Sequence, residues 1–333
     1  QRQMCIRDSR GDVELKFEVI EDASRLPRIA AEVRSAPWVG FDLETTSLDP
    51  HAGLIRVVSL NTGKHVYVID VFKTGGFKPI ADALHNPECE VGDRPIIIGQ
   101  NLKFDQKWLL HHEGVVLWPV FDTYRASAVL HGGRRREHDL LSLYARELGI
   151  YHYVEQMGGA GWTGELSHRH HLYAAEDVTY LPLLREKLKD KLRSNKLLRI
   201  ALIEFQAILP EAEMELTGFR LDPDMWLELA ERNKAEAAKL RKQLLRTLPH
   251  PHGQCGLFGN VFNVDSNQQL LQSFARMGVE LESTDKNLLA MKAAKHPEIN
   301  LLLKYREYAT RVKSFGAKYL DKLSDYTGPV SYT

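Results

Sequence analysis

Asp42 and Glu44 stand two residues apart at the acidic end of the short apolar run Trp38 to Glu44. In an extended chain, residues i and i+2 point to the same face. The two carboxylates therefore converge, and like charges on one face of a core strand are unfavourable unless something neutralises them. A divalent cation is the usual partner for such hard oxygen ligands; a solvated strand end is the plain alternative. A third acid, Asp105, follows the buried run Pro95 to Ile98 through Gln100-Asn101-Leu102-Lys103-Phe104 and falls in the first turns of a helix. By itself it would be an acid favoured by the helix dipole. Tyr173 and Asp177 are spaced i and i+4, which puts a phenol and a fourth carboxylate on one helix face. Glu176 lies about 100° around that helix and is read as solvent-facing.

The elements that must position these residues alternate. Strands are expected over 13–20, 38–44, 54–61, 65–71 and 95–98, with helices over 22–35, 77–85, 101–111, 139–148 and 172–192. Asn101 is the expected N-cap of its helix, and Asp122, in Phe121-Asp122-Thr123, reads as a structural cap. Strands mixed with helices imply an α/β domain. After about Ser194 the pattern turns helical: 200–216 with an expected kink at Pro210, then 223–248, 266–277, 285–295 and 297–323.

The three acid motifs, in this order on an α/β background, resemble the proofreading 3′–5′ exonuclease domain of the DnaQ-like (DEDD) superfamily, in its tyrosine-bearing subclass. That family's four acids fall on Asp42, Glu44, Asp105 and Asp177, with Tyr173 as the fifth member. The segments Glu211 to Asp222, Phe262 to Leu270 and Tyr305 to Gly316 resemble the thumb of family A DNA polymerases of bacteria and phages. The resemblance runs from about Gly11 to Leu323. It implies a ribonuclease H-like mixed sheet with flanking helices, followed by an all-α thumb-like subdomain. The division expected is residues 11–194 for the exonuclease and 195–333 for the thumb-like segment, with residues 1–10 outside the native pattern. No palm or fingers motif is present, so polymerisation is not expected from this chain. The tail from Thr327 has no partner element and reads as the end of a fragment.

The resemblance also implies a chemistry: hydrolysis of a 3′-terminal phosphodiester to release 5′-mononucleotides, with two Mg²⁺ (or Mn²⁺) ions. Asp42 is expected to bridge both ions, Glu44 and Asp177 to complete the water-activating site, and Asp105 to hold the second ion. Tyr173 is expected to orient the water, since a phenol with pKa near 10 is a poor base at neutral pH. The partner implied is DNA, single-stranded at the 3′ end and duplex along the thumb. Leu43, Thr45, Leu48, Asn101 and Phe104 are candidates for the single strand. Lys239, Arg241 and Lys242 are candidates for duplex phosphates, on a stretch from Glu231 to Arg246 with six basic residues against two acids. Arg134-Arg135-Arg136 is either a contact to the single strand or a mobile loop. Gln100 departs from the His found in many relatives, with a small effect expected. Two other readings compete: a free-standing RNase D-type exonuclease, and a catalytically dead DNA-binding module. Retention of all five residues disfavours the second.

Composition is compatible with all of this. The 333 residues carry 44 basic and 44 acidic side chains, 44% are apolar and 26% charged, which excludes a disordered chain or a collagen. The apolar runs are far shorter than the roughly 18 residues that mark a membrane span. Three cysteines are too few for a disulfide framework and fit a reducing compartment. A cytoplasmic monomer, in a bacterial or phage-infected cell, is expected.

Overall fold

The strand that carries the first two acids is central. The computed structural model describes residues 4–8, 11–85, 94–132, 134, 137–151, 159–251 and 262–322. Its main sheet has six strands in the order β3-β6-β5-β4-β7-β8: β3 (Glu18–Ile20), β4 (Trp38–Thr45), β5 (Ile55–Asn61), β6 (Val66–Asp70), β7 (Ile96–Gly99) and β8 (Val120–Asp122). The β4/β5 and β5/β6 pairs are antiparallel, and β3/β6, β4/β7 and β7/β8 are parallel. β5 is buried along its whole length, as a strand covered on both faces must be. A separate hairpin pairs β1 (Met4–Asp8) with β2 (Gly11–Leu15). Its register sets Met4 opposite Leu15, Ile6 opposite Val13 and Arg7 opposite Asp12.

Helices cover the sheet. α1 (Leu26–Ser35), α2 (Val71–Thr74) and α3 (Lys78–Leu84) precede α4 (Lys103–Glu113), which follows β7. α5 (Thr123–His131) follows β8, and α6 (Leu140–Leu143) runs on into a π-helical turn at Tyr144–Leu148. The single helix expected over 172–192 is two: α7 (His168–Thr179) and α8 (Leu181–Ser194). Pro182 sits in the first turn of α8, where its missing N–H is tolerated; inside one continuous helix it could not bond the Val178 carbonyl, which accepts from Asn61 instead. The helix expected over 200–216 also divides, into α9 (Leu198–Gln206) and α10 (Ile208–Thr217). The break falls at Ala207 rather than at Pro210, which occupies the first turn of α10 without interrupting it.

The chain divides into two compact units between Thr217 and Gly218. The expected division at 194/195 follows the change in element type; packing follows side chains. Ala201, Phe205 and Ile208 on α9 and α10 are buried in the same apolar core as Phe41, Ile98 and Trp108, so both helices belong to the first unit. The second unit contains α11 (Pro223–Thr247), α12 (Asn267–Arg276), α13 (Lys286–Ala293) and α14 (Pro297–Phe315) around its own core of Leu244, Phe274, Leu289 and Leu302. Asp222, Ser266 and Asp285 cap α11, α12 and α13 through their side-chain oxygens.

Candidate active site

β4 continues past the point where β7 can follow it. The β4/β7 register runs from Trp38↔Ile96 to Gly40↔Ile98, so Asp42 and Glu44 keep only β5 beside them. The space left open receives the start of α4. Gly99 makes this possible: a Cβ there would collide with the Leu102 side chain and lie 3.0 Å from the Phe41 carbonyl oxygen. Asp122 then fixes the turn. Its carboxylate caps α5 through the Arg125 N–H at 3.0 Å and also accepts the N–H groups of Leu102 at 2.8 Å and Asn101 at 3.3 Å. Asn101 is therefore not the N-cap of α4. It takes a left-handed conformation, φ 56°, that Asn tolerates better than most residues. Asp105, buried in the first turn of α4, accepts the Leu43 N–H at 3.0 Å and so ties the helix to the acid-bearing strand.

On the other side α7 lies close over β4. A Cβ on Gly40 would stand 3.0 Å from the Val178 carbonyl oxygen, so glycine sets the approach. The Asn61 side-chain amide donates to the carbonyls of Val178 at 3.1 Å and Thr179 at 3.0 Å, satisfying the last turn of α7. The Tyr144 hydroxyl donates to the Asp177 carbonyl at 3.1 Å. Sequence reasoning missed these positioning residues. Only the glycine inside a strand gave a signal, that of close backbone approach.

The result is a convergence. Carboxylate oxygens of Asp42, Glu44 and Asp177 lie within 4.8 Å of one another, the one group of this kind among the described residues. All three keep part of their surface open to a cavity of about 990 Å³, which Tyr173, Asn101 and Lys103 also line. Burial pushes Asp42 up to about 7. Burial, then repulsion from Asp42, Asp177 and Asp105, pushes Glu44 up to about 10. Asp105 and Asp177 are raised well above the ordinary carboxylate range by burial and by Asp42. Tyr173 is hydrogen-bonded to Asp177, and its hydroxyl is also raised, by burial first and then by the carboxylates. A set of hard oxygen donors that resists ionising together fits a divalent cation, whose charge would remove the conflict.

The other candidates are scattered. Leu43 and Thr45 are buried within β4, whereas Leu48 is 71% exposed. Phe104 packs against the core and is partly open. Lys239 and Lys242 are exposed on α11 of the second unit, and Arg241 is hydrogen-bonded to Tyr305. Glu176, expected in solvent, is buried. α7 is packed on more than one side, against β4, β5, β6 and α8, so a 100° turn from Asp177 does not reach water. Arg135 and Arg136 lie outside the described residues.

The mixed sheet, with acids gathered at the end of its central strand, has the ribonuclease H-like fold. A family model described as 3'-5' exonuclease (DNA_pol_A_exo1) matches residues 17–193, more than half of the chain, and the chain belongs to that family. These exonucleases are metal-dependent and act on nucleic acid. DNA polymerase I of Aquifex aeolicus is 28% identical over 249 residues, covering 69% of this chain and 40% of the relative. The chain thus spans about two fifths of that relative's length. The POL domain of Pol1 from M. smegmatis, in complex with DNA primer-template and dNTP, aligns with a TM-score of 0.68 and 17% identity, over 94% of this chain and 52% of that one. Escherichia coli RNase D aligns with a TM-score of 0.52 and 16% identity, over 96% of this chain and 78% of that one. At such identities both structures speak for the fold alone. Among the described residues no helix is long and apolar enough to cross a membrane.

Proposed function

We propose that the chain removes nucleotides from the 3′ end of single-stranded DNA, as the proofreading exonuclease of a DNA polymerase I-like protein. The observation that carries the reading is the convergence of Asp42, Glu44 and Asp177, with Tyr173 on Asp177 and Asp105 tied to the same strand. The relatives named DNA polymerase I point to DNA as the substrate. Asp42, Glu44, Asp105 and Asp177 would hold two Mg²⁺ or Mn²⁺ ions. Bound there, such ions lower the pKa of water and offset charge on the attacking and leaving oxygens. The reaction is in-line: a water oxygen bonds to the terminal phosphorus as the bond to the preceding 3′ oxygen breaks. That oxygen leaves as a hydroxyl, with a 5′-mononucleotide released. Tyr173 keeps its proton at neutral pH, so it positions the water and is not a base. Leu48, Asn101 and Phe104 are assigned to the terminal nucleotides, and the exposed basic face of α11 to duplex phosphates.

A 5′-labelled single strand incubated with the chain and Mg²⁺ tests this. A ladder shrinking one nucleotide at a time is expected, abolished by EDTA and slowed on the order of 10³-fold by Asp42→Ala. An RNA strand runs in parallel, and equal or faster RNA cleavage would reassign the substrate. Binding without cleavage by the unaltered chain would make it a binding module.

A further inference from the structure

A cleft that receives a phosphodiester chain is expected to offer free cations. Here carboxylates outnumber cations six to two among the described residues of the cavity wall. The two cations are Lys103 and Arg125. Both are already engaged by the helices that close the first unit. Arg125 forms a two-pronged pair with Glu211 on α10, Nη1 to Oε1 at 3.1 Å and Nη2 to Oε2 at 2.5 Å. It also donates to the Glu204 carbonyl on α9 at 2.8 Å. Lys103 bonds one oxygen of Glu215, also on α10, and Lys107 lies 3.3 Å from the other.

The fork of a guanidinium on a carboxylate is the same arrangement it makes on a phosphate. We infer that Glu211 and Glu215 are internal competitors for substrate phosphates, which occupy Arg125 and Lys103 and so set how tightly the cleft grips a nucleic-acid strand. The inference rests on the nucleic-acid reading above. Exposure favours competition over burial of a fixed strut: Lys103 is 30% exposed, Glu215 27% and Glu211 42%, so a solvated phosphate can reach these pairs. Arg125, 12% exposed, is the more deeply held cation. With its cations masked, the cleft would bind backbone weakly along its length and leave retention to the divalent ions that the acid cluster would hold at the strand terminus. That favours a frayed end over the interior of a long single strand.

The test is binding of a fluorescent single-stranded DNA to the whole chain in EDTA, titrated between about 50 and 200 mM salt. Glu215→Gln keeps the shape of the side chain and removes its charge. It should bind about 3- to 10-fold more tightly at the lowest salt, with a log–log salt slope steeper by about 0.7. Glu211→Gln should do the same through Arg125. In Lys103→Gln/Glu215→Gln the slope should return to that of the unaltered chain. Thermal melts report whether each variant folds. If the unaltered chain binds DNA and neither single variant changes the slope, the glutamates are clamps only and the inference fails. If affinity drops at an unchanged slope, it fails likewise. If the unaltered chain neither binds nor cleaves nucleic acid, the functional reading itself falls.

Discussion

In the first unit three carboxylates from one strand and one helix converge, with Asp105 tied to the same strand, and burial adds to the cost of their mutual repulsion. In the second unit the ionisable side chains do the reverse. Along α11, Arg232 pairs with Glu228, Lys234 with Glu231 and Lys239 with Glu236, each one helical turn apart and largely exposed. Arg311 and Glu307 repeat the arrangement on α14. Exposed pairs of this kind contribute little stability, typically 0–1 kcal/mol. The contrast identifies where a ligand is required. A solvated face is complete as it stands, whereas a buried cluster of one sign is stable only with protons or cations in it.

Tyr173→Phe probes the buried cluster most sharply. It removes one hydroxyl that bonds Asp177 and leaves the ring in place. A hydrogen bond to a charged group contributes about 1.5–3 kcal/mol. Single-turnover hydrolysis should therefore slow by roughly 10- to 100-fold, with strand affinity nearly unchanged. An equal rate would remove Tyr173 from the mechanism and leave it a packing residue.

The pH dependence of metal-free stability comes next. The folded-state pKa values of Asp42 and Glu44 lie above the ordinary carboxylate value, so the folded chain binds these protons more tightly than the unfolded one. Their contribution is complete below about pH 4 and is lost as pH rises through about 7 for Asp42 and about 10 for Glu44. In EDTA the melting temperature of the first unit should fall between pH 5 and pH 8. Mg²⁺ should restore more of it at pH 8 than at pH 5, because fewer protons compete. Asp42→Asn should flatten the metal-free profile. A profile already flat in the unaltered chain would mean that the cluster is solvated like the α11 face.

Two of the acid pairings were legible because local geometry carries them, whereas Asp105 entered only through the family resemblance. Period two in a strand pairs Asp42 with Glu44, and period 3.6 in a helix pairs Tyr173 with Asp177. What aims those elements was not legible, because it is built from residues far apart in the chain. Asn61 and Tyr144 fix α7 from sequence distances of 117 and 33 residues. Asp122 reads as a helix cap from its own segment, yet it also holds the turn at Asn101 and Leu102, twenty residues earlier. Glu176 was misplaced because a helical wheel assumes one buried face, and α7 has more than one. The helix breaks at Tyr180 and Ala207 were hidden by unbroken apolar spacing. The edge of the first unit was displaced for a related reason: α9 and α10 look like the start of a helical region, but their side chains complete the sheet domain's core.

The smallest expected effect lies on α11, and it separates charge used for folding from charge held for a partner. Lys242 is exposed, and Lys239 is 63% exposed beside Glu236 at 3.2 Å. Removing either charge should change stability by no more than about 0.5 kcal/mol. Arg241 differs, because it bonds Tyr305, whose hydroxyl donates to Asp265 at 2.8 Å at the edge of the second core. Arg241→Ala should therefore shift the melt of the second unit where Lys239→Ala and Lys242→Ala do not. If α11 follows duplex phosphates, each of the two lysine variants should make the log–log salt slope for duplex DNA shallower by about 0.9. A lysine variant that melts several degrees lower, with its salt slope intact, would show the opposite: that this face, too, is part of what holds the protein together.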